Sequence, residues 1–186
     1  MQDTFFFLLA LFGLLTKLFE SFQVSSNTET LAVLNSGLVD RIGHGTFIHS
    51  DTGGSEELHT VVRKQNLPLG KSFPIPYMLY YTSTELCFSS NIKLGTVKNA
   101  SHHHLGFWKK ENHPVVICTD DKGVFATSLS EEFFLCAQTF HLTEGELHSL
   151  CLSGVDAAFL SQVEKQRLRQ EVQKELDSLK GKLACQ

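Results

Sequence analysis

Three clusters of side chains in this sequence could carry chemistry. His44 stands between two glycines in Asp40-Arg41-Ile42-Gly43-His44-Gly45-Thr46-Phe47. An imidazole, with an unperturbed pKa of ~6.5, moves protons near neutrality, and glycines without a Cβ let backbone and ligand approach it closely. The plain alternative is a turn residue, the more frequent role of a lone histidine between glycines. Asp120-Asp121 closes the run His113-Pro114-Val115-Val116-Ile117-Cys118-Thr119. Adjacent carboxylates at a strand end can divide labour, one holding a metal and the other a substrate; equally, they can cap the turn through Lys122-Gly123. The third cluster is His102-His103-His104, whose outer pair has the His-x-His spacing of a zinc site. It follows Asn99-Ala100-Ser101, a polar stretch with no apolar strand to fix alternate ligands on one face. The expected reading is therefore a solvated loop near the mouth of a site, with metal binding the minority one.

The elements that must position these groups read as alternating strands and helices. Residues Ser25 to Thr30 are polar and turn-like; Leu31, Val33, Leu34 and Leu38 then lead into a short strand ending at His44. A loop over Asp51 to Glu57 precedes helical periodicity from Glu56 to Gln65 through Leu58, Val61 and Val62. Leu67-Pro68-Leu69 starts like a strand, but Pro74 and Pro76 cannot sit in a central one. The pattern resumes at Glu85-Leu86-Cys87, so Gly70 to Thr84 reads as an exposed excursion inside a strand. The continuous apolar run before Asp120 suits a strand of a parallel sheet, buried on both faces. Ser128/Glu131, Thr143/Glu146 and Ser161/Glu164 have capping-box spacing ahead of three helices. The last helix carries Leu168, Val172, Leu176, Leu179 and Leu183 as one stripe. Strand, helix, strand, loop, strand and helices make an α/β arrangement, and such folds place active sites at the C-terminal ends of parallel strands.

Composition narrows the classes. With 186 residues, 42% hydrophobic and 19% charged, the chain suits one packed domain. Sixteen basic against twenty acidic residues leave a net charge of −4, without the positive footprint of a nucleic-acid binder. Five cysteines, an odd number with no Cys-x-x-Cys pair, fit a reducing compartment better than a disulfide scaffold. The apolar run Phe5 to Leu15 is shorter than the ~20 residues a membrane span needs, and no basic residue precedes it, as a secretory signal would require. A buried helix is the expected reading and a signal or surface anchor the alternative, so the location read from sequence is cytoplasmic. A (β/α)8 barrel needs about 250 residues, more than this chain has.

Asp40 to Thr46, Ser90-Asn91, His113 to Phe125 and the continuation Thr127-Ser128-Leu129-Ser130-Glu131-Glu132-Phe133 resemble the adenosine deaminase family. His103-His104-Leu105-Gly106-Phe107-Trp108 and Lys122-Gly123 resemble its adenosine deaminase-like branch, associated with N6-methyl-AMP and related N6-substituted purine nucleotides. The resemblance covers residues 28 to 175 apart from 70 to 84. It implies a partial (β/α)8 (TIM) barrel, the C-terminal strands and helices of a metal-dependent hydrolase, with one zinc at the C-terminal face. By this resemblance His44 orients and deprotonates the water that attacks C6 of the purine, Asp120 ligates zinc, and Asp121 hydrogen-bonds the purine ring. The family's first-strand His-x-His pair and its His-Ala-Gly-Glu motif have no counterpart, for no histidine precedes His44. Residues 1 to 27 resemble nothing in the family at those positions.

The sequence thus leads to zinc-dependent hydrolytic deamination of adenosine or an N6-substituted AMP. The partner expected is a purine nucleoside or nucleoside monophosphate, with no nucleic acid and no membrane span. The alternative is a catalytically inactive truncated isoform or gene-model fragment that acts by association, since open strand edges template further pairing. Expected structurally are three or so parallel strands within residues 31–160, with His44, Asp120 and Asp121 at one edge.

Overall fold

Short runs of β-branched and apolar residues, each followed by a helical stretch, pair into a four-stranded parallel sheet in a computed structural model of the chain. The structure describes residues 18–20, 27–36, 41–65 and 83–183. Strands β1 (Leu18–Glu20), β2 (Arg41–Gly43), β3 (Ser83–Leu86) and β4 (Val115–Ile117) lie in the order β1-β2-β3-β4. Phe19 pairs with Ile42, Ile42 with Thr84, and Thr84 with Val115. Sequential neighbours throughout, with no reversal of order, is the pattern of a (β/α)8 barrel rather than of a doubly wound sheet. The fold is a partial barrel.

The two-residue alternation of the strands separates two faces. Ile42, Thr84, Leu86, Val115 and Ile117 are all buried, and the apolar ones join Leu34, Ile48, Leu58, Val62, Phe88, Leu105, Trp108 and Cys136 in one core under the helices. The opposite face carries Arg41 and Glu85, paired across β2 and β3 at 3.0 Å. Val116, on that same face, is only half-buried, so β4 is not sealed on both sides as its apolar sequence led one to expect. It is also shorter than the run from His113 to Thr119.

Between and after the strands run α1 (Asn27–Asn35), α2 (Glu56–Gln65), α3 (Phe88–Lys93), α4 (Leu105–Lys110), α5 (Lys122–Phe125), α6 (Leu129–Phe140), α7 (Glu144–Asp156) and α8 (Gln162–Leu183). The expected caps form. Ser128 accepts the Glu131 N–H at 3.3 Å, Thr143 and Glu146 exchange both bonds of a capping box, and Ser161 and Glu164 do the same at 2.9 and 3.3 Å. The α8 stripe buries Leu176 but leaves Leu179 half exposed.

Two expectations need correction. Asn27 to Thr30 is the first turn of α1 rather than a free turn, and Thr30 is buried. The three parallel strands expected within residues 31–160 form, and a further strand, β1, joins them from the segment 1–27 that resembled nothing in the family. The interval 70 to 84 does not end as an exposed loop: Ser83 and Thr84 open the internal strand β3, where Thr84 is fully buried. Its remainder, like the apolar run 5–15, lies outside the described residues. No helix among those described is long and apolar enough to cross a membrane.

Candidate active site

The chain leaves β2 through a tight left-handed turn. His44 has φ 56° and Gly45 φ 62°, and the Gly45 N–H returns to the Gly43 carbonyl at 2.6 Å. Glycine is required here: a Cβ on Gly45 would stand 2.4 Å from Thr84 Cγ2. The turn carries His44 to the C-terminal edge of the sheet with its side chain 10% exposed. Asp120, also left-handed at φ 56°, leaves β4 at the same edge. His44 Nε2 and Asp120 Oδ2 stand 3.5 Å apart, although their strands are separated by β3. Ser90 Oγ, from α3 after β3, donates to the same Asp120 oxygen at 2.7 Å.

Asp121 takes the other path read for the acid pair. Its Oδ1 accepts the N–H groups of Gly123 and Val124, both at 2.9 Å, as the N-cap of α5. Asp120 thus faces the histidine, while Asp121 holds the turn. Glu20 ends β1 in register with Gly43, so a carboxylate-bearing residue occupies the same edge of the sheet, one the sequence reading did not single out.

The histidine triplet is not a solvated loop. His102 is exposed and bonds Asn99 Oδ1 at 2.7 Å, but His103 and His104 are buried behind His44. His103 stacks on Phe88 at 3.8 Å and on His104 at 4.2 Å. Burial, with His104 and His44 adding repulsion, pushes the His103 imidazole down to about 2. Burial likewise takes His104 to about 4. Both rings are neutral at physiological pH. Leu105 N–H donates to His103 Nδ1 at 3.2 Å, leaving the ring proton on Nε2, which faces Asn91 Oδ1 at 3.2 Å. His104 Nε2 donates to the His44 carbonyl at 2.5 Å. The sequence signal for this burial lay in Leu105-Gly106-Phe107-Trp108, whose apolar helix pulls the preceding turn inward.

Zinc tests poorly against this donor set. A catalytic zinc takes three protein ligands or more. His44 and Asp120 offer two facing donors, and no group of three histidine, cysteine or acidic side chains able to hold a metal occurs among the described residues. Cys87 and Cys118 follow the ends of β3 and β4 near the same edge. Burial raises both, Cys118 to about 12 and Cys87 higher still.

The adenosine deaminase family matches residues 20–175, starting earlier than residue 28 and so taking in the end of β1. A protein named N6-methyl-AMP deaminase from Bos taurus is 44% identical over 147 residues, which are 79% of this chain and 37% of that protein. The crystal structure of Arabidopsis ADAL complexed with IMP superposes with a TM-score of 0.67 at 27% identity, covering 83% of this chain and 39% of that one. An amidohydrolase from Burkhoderia ambifaria with bound Zn shares the fold, with a TM-score of 0.64 at 18% identity over 91% of this chain and 42% of that one. The chain thus spans less than two-fifths of the curated relative it matches.

Proposed function

This chain belongs to the adenosine deaminase family, and from that premise we propose that it carries the C-terminal portion of a site for hydrolytic deamination of an N6-substituted AMP. The reaction adds water to C6 of the purine and releases the amine, so that N6-methyl-AMP and water give IMP and methylamine. The observation that carries the reading is the meeting of His44 Nε2 and Asp120 Oδ2 at 3.5 Å on the C-terminal edge of a parallel sheet. Names among the relatives and a nucleoside monophosphate in a superposed structure support a nucleotide substrate.

In this reading His44 takes the proton of the attacking water. Its side chain is 10% exposed, open enough to reach water and enclosed enough to keep one orientation. Asp121, with Oδ1 committed to the α5 cap, turns Oδ2 to the purine ring. Asp120 is one donor to the zinc expected of the family. The pair falls short of the donor number zinc requires, so the steps assigned are those of the chain's own side chains. The setting proposed is cytoplasmic, supported by four described cysteines that stand as free thiols.

A second reading follows from the same donor count: residues 1–186 alone hold no zinc and turn over nothing, acting instead by association at the strand edges of the partial barrel. One experiment tests whether the chain alone assembles a working site. The purified chain is assayed for zinc by elemental analysis and for methylamine release from N6-methyl-AMP. The expected result is substoichiometric zinc and no release. Stoichiometric zinc with turnover abolished by Asp120→Ala would show that this chain alone assembles the site.

A further inference from the structure

The turn that carries His44 is held from outside itself. His44 lies in the left-handed region at φ 56°, where the Cβ of an L residue crowds the carbonyl that follows it. Such a residue keeps its place only where the surroundings over-determine it. The Gly45 N–H closes the turn onto the Gly43 carbonyl, and the next carbonyl, that of His44, accepts from His104 Nε2 at 2.5 Å. The direction of this bond is fixed, because a carbonyl oxygen has only lone pairs to offer and Nε2 must carry the hydrogen. Burial lowers the His104 imidazole to about 4 and keeps it neutral, so its single ring hydrogen is the one on Nε2. Nδ1 is accordingly bare, and it has no hydrogen-bond partner among the described residues.

The ring that holds the turn is itself clamped. His104 is 4% exposed and stacks on His103, which stacks on Phe88 and faces Asn91 Oδ1 of α3 at 3.2 Å. The His104 carbonyl accepts the Phe107 and Trp108 N–H groups, both at 3.1 Å, at the start of α4. Trp108 is four residues on and so on the same side of the helix. It reaches the turn as well: a Cβ on Gly45 would lie 3.5 Å from its indole Nε1. One face of α4 therefore cradles both left-handed residues.

We propose that His104 is a positioning residue: by holding the His44 carbonyl it keeps the left-handed turn that sets the His44 side chain at the C-terminal edge of the sheet. With that carbonyl released, His44 relaxes toward the negative φ that an L residue prefers, Gly45 follows without steric resistance, and the imidazole swings off the edge. The bond spans 60 residues of sequence and ties the exit of β2 to α4. Its bearing on catalysis rests on the reading of His44 as the residue that takes the proton of water; the hold on the turn does not.

The test reads the backbone of His44 and not turnover. Residues 1–186 are labelled with 15N and 13C, and the intraresidue NOE between amide and α hydrogens is recorded for His44. That NOE is strong where φ is positive, because the two hydrogens then lie close. Asn112 and His141, also left-handed at φ 52° and 50°, serve as internal standards. In the wild type His44 should match them, and two-bond 1H–15N correlations should place the His104 ring proton on Nε2. His104→Phe keeps a stacking ring and loses the donor; it should lose the strong His44 NOE while both standards keep theirs. His104→Gln, whose amide nitrogen reaches the place of Nε2, should restore it. A wild-type His104 protonated on Nδ1 overturns the proposal whether or not His104→Phe folds, as does a folded His104→Phe that keeps the strong His44 NOE. The functional reading fails separately: turnover that survives His44→Ala in an active barrel would sink the base and leave the hold of His104 intact.

Discussion

At the scale of single residues, the site depends on two left-handed backbone positions that aim His44 and Asp120 across β3. Gly45 is the more exposed to change. Gly45→Ala would bring a Cβ to 2.4 Å from Thr84 Cγ2 and costs about 1–2 kcal/mol for the left-handed backbone alone. The expected outcome is a lower urea midpoint. The glycine was legible in the sequence as a place of close approach, and the group that approaches it in the structure is the buried Thr84 of the neighbouring strand. His44 and the acid pair were legible because each sits where an apolar run stops. Asn91, His103 and His104 were not, because polar side chains in a polar stretch look solvated until the Phe88 and Trp108 helices are known to close over them.

At the scale of elements, α3 is the part that must not move, since Ser90 and Asn91 both ride on it. It is tied at its start by Glu132 of α6, fully buried, which accepts Ser89 N–H at 3.2 Å and Thr127 Oγ1–H at 2.7 Å. Glu132→Ala leaves both donors without that acceptor and should destabilise by about 1–3 kcal/mol, read as a shift of the urea midpoint. A second tie joins α4 to α7, where Lys109 Nζ meets Glu146 Oε1 at 2.6 Å. The Lys109 ammonium, with the Thr143 cap, holds the Glu146 carboxyl down to about 2 from an ordinary 4.5. A carboxyl lowered on folding stabilises above its unfolded pKa and ceases to as pH falls through the folded one. The stability gap between wild type and Glu146→Gln should accordingly be full at pH 5.5 and close progressively between about pH 4.5 and pH 2. A gap that persists unchanged to pH 2 would contradict the tie. The helix caps were legible because Ser, Thr and Glu at fixed spacing do one local job. Strand β1 was not, since three residues in register with Arg41 to Gly43 leave no periodic signature beside a long apolar run.

For the whole molecule, the unbroken order β1-β2-β3-β4 and the match over residues 20–175 describe part of a barrel, and the relatives' greater length fits strands beyond these four. The parallel sheet was legible from alternating strand and helix patterns. The three strands within residues 31–160 were legible too, whereas the further strand β1 shows only in its pairing with β2. The account's central claim is that His44 and Asp120 are working residues of a deaminase site once the barrel is whole. The direct measurement grafts residues 41–175 in place of the matching segment of the bovine relative and follows methylamine release from N6-methyl-AMP. The account predicts release by the graft, and a fall of about 10²–10⁴-fold on His44→Ala, with a loss at least as deep on Asp120→Ala. A folded graft that releases methylamine at an undiminished rate after either substitution would contradict it.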